Sequence, residues 1–305
     1  MSLATVVEAA RGVSRPRSPY VGLVPYDVGD AAFFFGRSTE AAIVAANLRA
    51  APLTILYGPS GVGKSSLLMA GAVHDLREDA RTATGESPFA VCVFRSWRDD
   101  PVHGVREAAR VALQELAGAE PLPPPAATLA ETFRGWTDRT GTLLVVLDQF
   151  EEYFQYHPEE GDDERLTGFA AELARIVNDP GLAVHVLLSV REDAWAKLDR
   201  FEGHIPSLFS NYVRVDHLDL EAAREAIEGP IEAWNRSLPE GEQPFEIEPA
   251  LVEAVLAATA GGGLTLTAGG ETPSWRHPAT GSRRRSCNSC SSGSGATPSR
   301  TGRTR

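Results

Sequence analysis

An apolar run, Pro52–Tyr57 (PLTILY), leads directly into Gly58-Pro-Ser-Gly-Val-Gly-Lys64-Ser65, and Lys64–Leu76 beyond it has helical spacing. No other stretch of this chain limits its fold as tightly. The eight residues match G-x-x-x-x-G-K-[ST], a loop whose backbone N–H groups turn inward on phosphate oxygens. Glycines at 58, 61 and 63 allow the curl, and Pro59, Ser60, Val62 and Ser66 complete the stretch that would cradle a nucleotide. Lys64 offers a cation to the β and γ phosphates, and the Ser65 hydroxyl a ligand to Mg²⁺. The helix that starts there adds the positive end of its dipole. Lysine occurs only at 64 and 197 in a chain rich in arginine, which makes a lysine inside a glycine loop stand out. A glycine-rich turn of an unrelated α/β protein is the competing reading, and the strand before and helix after argue against it.

The rest of the chain alternates in the same way. Apolar runs at 88–94, 142–147, 182–190 and 212–215 read as further strands. Helical patterns occupy 102–116, 127–137 and 165–177. Together they predict an α/β fold, a doubly wound parallel sheet of about five strands. Patterns at 220–235 and 249–260 read as a small helical appendage. The run Leu143–Leu147 ends in Asp148-Gln149-Phe150-Glu151-Glu152. An acid at the carboxyl end of a buried strand lies in the ligand crevice of such a sheet, so Asp148 is the expected metal partner of Ser65. Glu151 or Glu152 could deprotonate an attacking water, and the sequence does not choose between them.

Composition excludes several classes. A net charge of −12 opposes a nucleic-acid footprint. No 18-residue apolar run suggests a membrane span, and the first residues do not read as a signal peptide. Three cysteines, Cys92, Cys287 and Cys290, make no disulfide framework, so the expectation is a reducing cytoplasm. Residues 1–17 read as a flexible start. The acidic stretch 159–164 reads as a solvated loop. Composition changes near residue 262, after which arginine, serine and glycine dominate, and 263–305 reads as a disordered tail. Its Cys287-Asn-Ser-Cys290 pair is a weak zinc signal without partners.

Five runs carry a resemblance: SPYVGLVPYDVGDAAFFFGR (18–37), LYGPSGVGKSSLLMAGAV (56–73), LLVVLDQFEEYF (143–154), LLSVRED (187–193) and IPSLFSNYVRVDHLDLEAAREAIEGPI (205–231). Together they resemble the STAND class of signalling NTPases, most of all the novel STAND NTPase 1 group. The resemblance implies a nucleotide-binding core over 18–217 and a partial helical lid over 218–262. It implies ATP or ADP with Mg²⁺, slow hydrolysis, and a switch that is closed with ADP and forms homo-oligomers when ATP replaces it. Sensor repeats are expected from a C-terminal region missing here. Phe35-Gly36-Arg37 resembles the segment packed near the adenine, although Ser38 stands where an acid is common. Arg191 resembles the arginine that senses the γ-phosphate, and it also reads as a plain ion-pair partner of Glu192 or Asp193. The lack of an Asn-Lys-x-Asp run supports adenine over guanine.

Back-translating 282–295 with GC-rich codons and shifting by one base returns IEAPFLQLVLQRLW, which looks like the family's helical domain. The expectation is a frameshift starting between about 258 and 281, which would leave the lid incomplete. Two other functions stay open: a nucleotide-binding scaffold without turnover, and a DNA-associated ATPase.

Overall fold

The computed structural model describes residues 18–82, 88–158 and 166–260. All of these belong to one compact unit, Met1–Gly263. The start 1–17, the acidic stretch 159–164 and the tail 263–305, with its cysteines and its shifted-frame reading, lie outside the described residues.

Five strands form the sheet: β1 (Leu53–Gly58), β2 (Phe89–Phe94), β3 (Thr142–Leu147), β4 (Val184–Arg191) and β5 (Tyr212–Arg214). All pairings are parallel and the order is β2-β3-β4-β1-β5. The alternation along each strand explains the two layers of helices. On β3, Leu143, Val145 and Leu147 enter one core with Trp97, Phe133, Trp136 and Phe169. Leu144 and Val146 enter the other with Val44, Leu48, Leu67 and Leu68. Successive side chains of a strand point to opposite faces, so both faces of β3 demand a helical cover.

One cover consists of α1 (Ser38–Ala50) and α2. The second helix runs as Lys64–Ser66, then a π-helical stretch Leu67–Val73, then His74–Thr82. It is therefore longer than its sequence pattern suggested. All of Leu67–Val73 is buried, and a Cβ at Gly71 would lie 2.9 Å from that of Ala41. The other cover is α3 (Pro101–Ala117), α4 (Leu129–Thr140) and α5 (Gly168–Val177). Asp100 caps α3 ahead of a proline in its first turn, and Thr128 with Glu131 forms a capping box on α4. Such caps satisfy the N–H groups that a helix start leaves unpaired.

After β5 come α6 (Leu220–Arg236), capped by Asp219, and α7 (Pro249–Ala260). The first packs on a 3₁₀ turn at Val28–Phe33, where the Phe33 and Trp234 rings lie 6.0 Å apart. Val252 and Leu256 are the buried face of α7, and Arg224 of α6 pairs with Glu253 at 2.7 Å. Among the described residues no helix is long and apolar enough to cross a membrane.

Candidate functional site

Strand register assembles the site. Gly58, the last residue of β1, stands beside Arg191, the last of β4. Leu147, the last of β3, stands beside Leu188. The phosphate loop, the acidic strand end and Arg191 thus emerge side by side at the carboxyl edge of the sheet, where crossovers leave a crevice.

In the loop, Gly61 (φ +79°) and Gly63 (φ +90°) adopt the left-handed conformation, and added Cβ atoms there would meet nothing within 4 Å. Their requirement is conformational. Gly58 differs: its φ is ordinary, but a Cβ would lie 2.2 Å from the carbonyl oxygen of Val215. It is needed for close approach to the chain leaving β5, a role distinct from the curl that its motif position suggested. The Lys64 Nζ donates to the carbonyls of Gly58 and Pro59, both at 2.9 Å. An ammonium has three donors, so one remains for a ligand. Burial pulls the Lys64 pKa below the ordinary lysine value, opposed by the carboxylates of Glu151 and Asp148.

A cleft of about 450 Å³ lies over this loop. The loop contributes Ser60, Gly61, Gly63, Lys64, Ser65 and Ser66; β3 and the turn after it give Asp148, Gln149 and Glu151; β4 gives Ser189 and Arg191. The fourth wall is Gly22–Pro25, part of an N-terminal strap tied to α2 by a bond from the Tyr26 N–H to the Ser66 Oγ at 3.1 Å.

Asp148 is 1% exposed. Its Oδ1 accepts the Gln149 N–H at 2.9 Å, while its buried Oδ2 has no hydrogen-bond partner. A buried carboxylate oxygen without a partner is costly, and a divalent cation is a fitting partner. Among the described residues no cluster of three or more His, Cys, Asp or Glu forms a metal cage. The donor set Ser65 plus Asp148 suits Mg²⁺, which keeps waters and phosphate oxygens as its other ligands. Glu151 is half-buried, its Oε2 accepting the Arg191 N–H at 3.2 Å. Burial raises its pKa above the usual carboxylate value, opposed by backbone hydrogen bonds and Lys64. The guanidinium of Arg191 bonds Asp193 at 2.9 Å, and its buried Nε has no partner. Both readings of this arginine therefore have a counterpart: it lines the cleft, and it is an ion-pair partner.

Several expected residues stand elsewhere. Glu152, next to Glu151 in the 3₁₀ helix Phe150–Glu152, does not line the cleft. Phe35 and Gly36 dock on α6: a Cβ at Gly229 would meet the Phe35 ring at 2.5 Å, and one at Gly36 would meet the Ala222 carbonyl oxygen at 2.3 Å. Arg37 is buried, and its Nη2 donates to the Val62 carbonyl at 3.0 Å and the Asp216 carbonyl at 2.7 Å. It faces a second cavity of about 780 Å³ on the α6 side of the loop, shared with Gly61, Val62, His217–Leu220, Ala223 and Thr259. Sequence reasoning missed Gly22–Pro25, Gln149 and Ser189. Of these only Ser189 left a signal, as a lone hydroxyl in a buried strand.

A family model described as Novel STAND NTPase 1 matches residues 19–267. Among solved structures the chain is similar to the Walker-type ATPase paby2304 of Pyrococcus abyssi, at 18% identity and a TM-score of 0.53 over 77% of this chain and 65% of that one. It is also similar to the ORC1 protein of Aeropyrum pernix in complex with DNA, at 18% identity and a TM-score of 0.51 over 80% and 59%. These likenesses show the fold, and the chain spans less than two thirds of either protein's length. No curated protein matches the chain.

Proposed function

The chain belongs to the novel STAND NTPase 1 family, whose P-loop fold binds nucleotide, and from that premise we propose that it is an ATP-operated switch with slow hydrolysis. One observation carries this reading: Lys64 and Ser65 of the loop, Asp148 and Glu151 after β3, and Arg191 of β4 line a single cleft.

In this reading ATP lays its phosphates along the loop from Ser60 to Ser66, with Lys64 on the β and γ groups. Ser65 and Asp148 would hold Mg²⁺, which when bound neutralises charge on the phosphate oxygens. The carboxylate of Glu151 accepts the proton of the attacking water. Its bond to the Arg191 N–H fixes its direction, and burial makes it a stronger base. Arg191 turns from Asp193 to the γ-phosphate, so that triphosphate and diphosphate leave it with different partners. The adenine occupies the second cavity, between Arg37 and the start of α6. The helices α6 and α7 act as a lid that follows the nucleotide state, and oligomerisation with ATP is the output expected of the family. Nucleic acid has no part in it.

The test is ATP binding and phosphate release by the purified chain. Lys64→Ala should abolish binding, and undiminished affinity would overturn the site. Glu151→Gln should keep binding while phosphate release falls by about 10²–10⁴-fold. Glu152→Gln should change neither. An ATP-binding protein that releases no phosphate would instead be the scaffold without turnover.

A further inference from the structure

Among the described residues Gln149 is the only non-glycine with a positive φ, at φ 55° and ψ 42°. Such residues are uncommon and are held in place by their surroundings. This one stands immediately after Asp148 and two residues before Glu151.

The surroundings are specific. The Asp148 N–H donates to the Phe94 carbonyl at 2.9 Å, and its own carbonyl accepts the indole N–H of Trp97 at 2.8 Å. Both backbone groups of Asp148 are therefore fixed from β2 and the loop after it. Trp97 is fully buried, and its carbonyl bonds the ring of His157 at 2.7 Å. On the far side of Gln149, Phe150 is fully buried against Trp97, edge to face at 5.1 Å, and stacked on Tyr153 at 5.1 Å. The chain must pass from a pinned Asp148 to a sunken Phe150 in one residue, and the left-handed turn accomplishes it. Glu151 then faces the cleft, and its neighbour does not.

We propose that Gln149 and Trp97 are positioning residues, a brace that selects Glu151 over the adjacent Glu152 as the carboxylate presented to the cleft. It is the backbone of Gln149 that acts, so residues tolerant of the left-handed region should replace it. The proposal rests on the assignment of Glu151 as the base.

The experiment compares Gln149→Gly, Gln149→Asn, Gln149→Val and Trp97→Phe in the full chain. Glycine and asparagine adopt a positive φ readily, whereas valine does not. Gln149→Val should lower kcat on the order of 10²-fold, the scale of a misplaced catalytic group, with KM for ATP within about twofold. Gln149→Gly and Gln149→Asn should keep a kcat at least about tenfold above that of Gln149→Val. Trp97→Phe, which keeps a ring and loses the N–H, should lower kcat about tenfold with KM unchanged. Adding Gln149→Val to Glu151→Gln should cost almost nothing further, because effects that act through one group are not additive. A Gln149→Gly variant as slow as Gln149→Val would show that the amide itself is needed and would overturn the brace. Wild-type turnover in Glu151→Gln, or no turnover in the wild type, would refute the base assignment beneath it.

Discussion

Arg37 shows how one side chain joins parts distant in sequence. The residue is 5% exposed, and its guanidinium bonds the carbonyls of Val62, in the phosphate loop, and Asp216, ahead of α6, with Glu40 completing its partners at 3.0 Å. Nη2 serves both carbonyls while Nη1 reaches Glu40, and a single ammonium nitrogen cannot reproduce partners spread over two nitrogens. Arg37→Lys should therefore destabilise the fold by roughly 2–4 kcal/mol, the scale of buried bonds to a charged donor. A lowered urea midpoint at unchanged slope would register it. Cys92 makes a second residue-scale prediction. It is fully buried on β2, and burial pushes its thiol from 9.0 to about 12. A folded pKa above the unfolded one contributes stability present below about pH 9 and lost as pH rises towards 12. In a Cys287→Ser, Cys290→Ser background, stability should fall across that interval, and a Cys92→Ala variant should fall less. Thiol labelling of Cys92 at pH 8 should follow global unfolding.

At the scale of elements, Gly36 is the hinge of the contact between the N-terminal segment and α6. Its φ is +80°, and a Cβ would collide with the Ala222 carbonyl. Gly36→Ala should cost at least about 1 kcal/mol from backbone strain alone. Hydrogen exchange should show α6 amides opening before those of β3, and uniform loss of protection would count against a local docking role. The inner strands were legible because both faces of the sheet are covered there, so β3 read as an unbroken apolar run with the bounds its pattern gave, whereas β5 is short and largely exposed. Helix α1 was not legible. Its buried face is Ala41, Val44 and Leu48, and alanines on the other faces erase the contrast that marks an amphipathic helix. The phosphate loop and Asp148 were legible because a motif and its strand lie together in sequence. Which of Glu151 and Glu152 lines the cleft was not, because it follows from a left-handed turn whose partner Trp97 lies far away in sequence. The wall at Gly22–Pro25 was hidden for the same reason.

For the molecule as a whole, charge sets the expectations for partners. The chain carries −12, and seven arginines fall in 263–305, so the remainder is more acidic still. Phosphate contacts by basic groups dominate DNA affinity, and a net charge of this sign works against them. A shift assay with duplex DNA at low salt should show no retained complex, and a salt-sensitive complex would contradict the reading. The sheet order has one more consequence. With β4 between β1 and β3, the strands that carry the loop and Asp148 run two intervals apart, about 10 Å. That separation is a ruler cut in hydrogen bonds: point mutations cannot lengthen or shorten it. Relatives built on the same ruler would share its gauge for a row of phosphates, and any divergence in what they accept must be written in the turns that protrude beyond the strands.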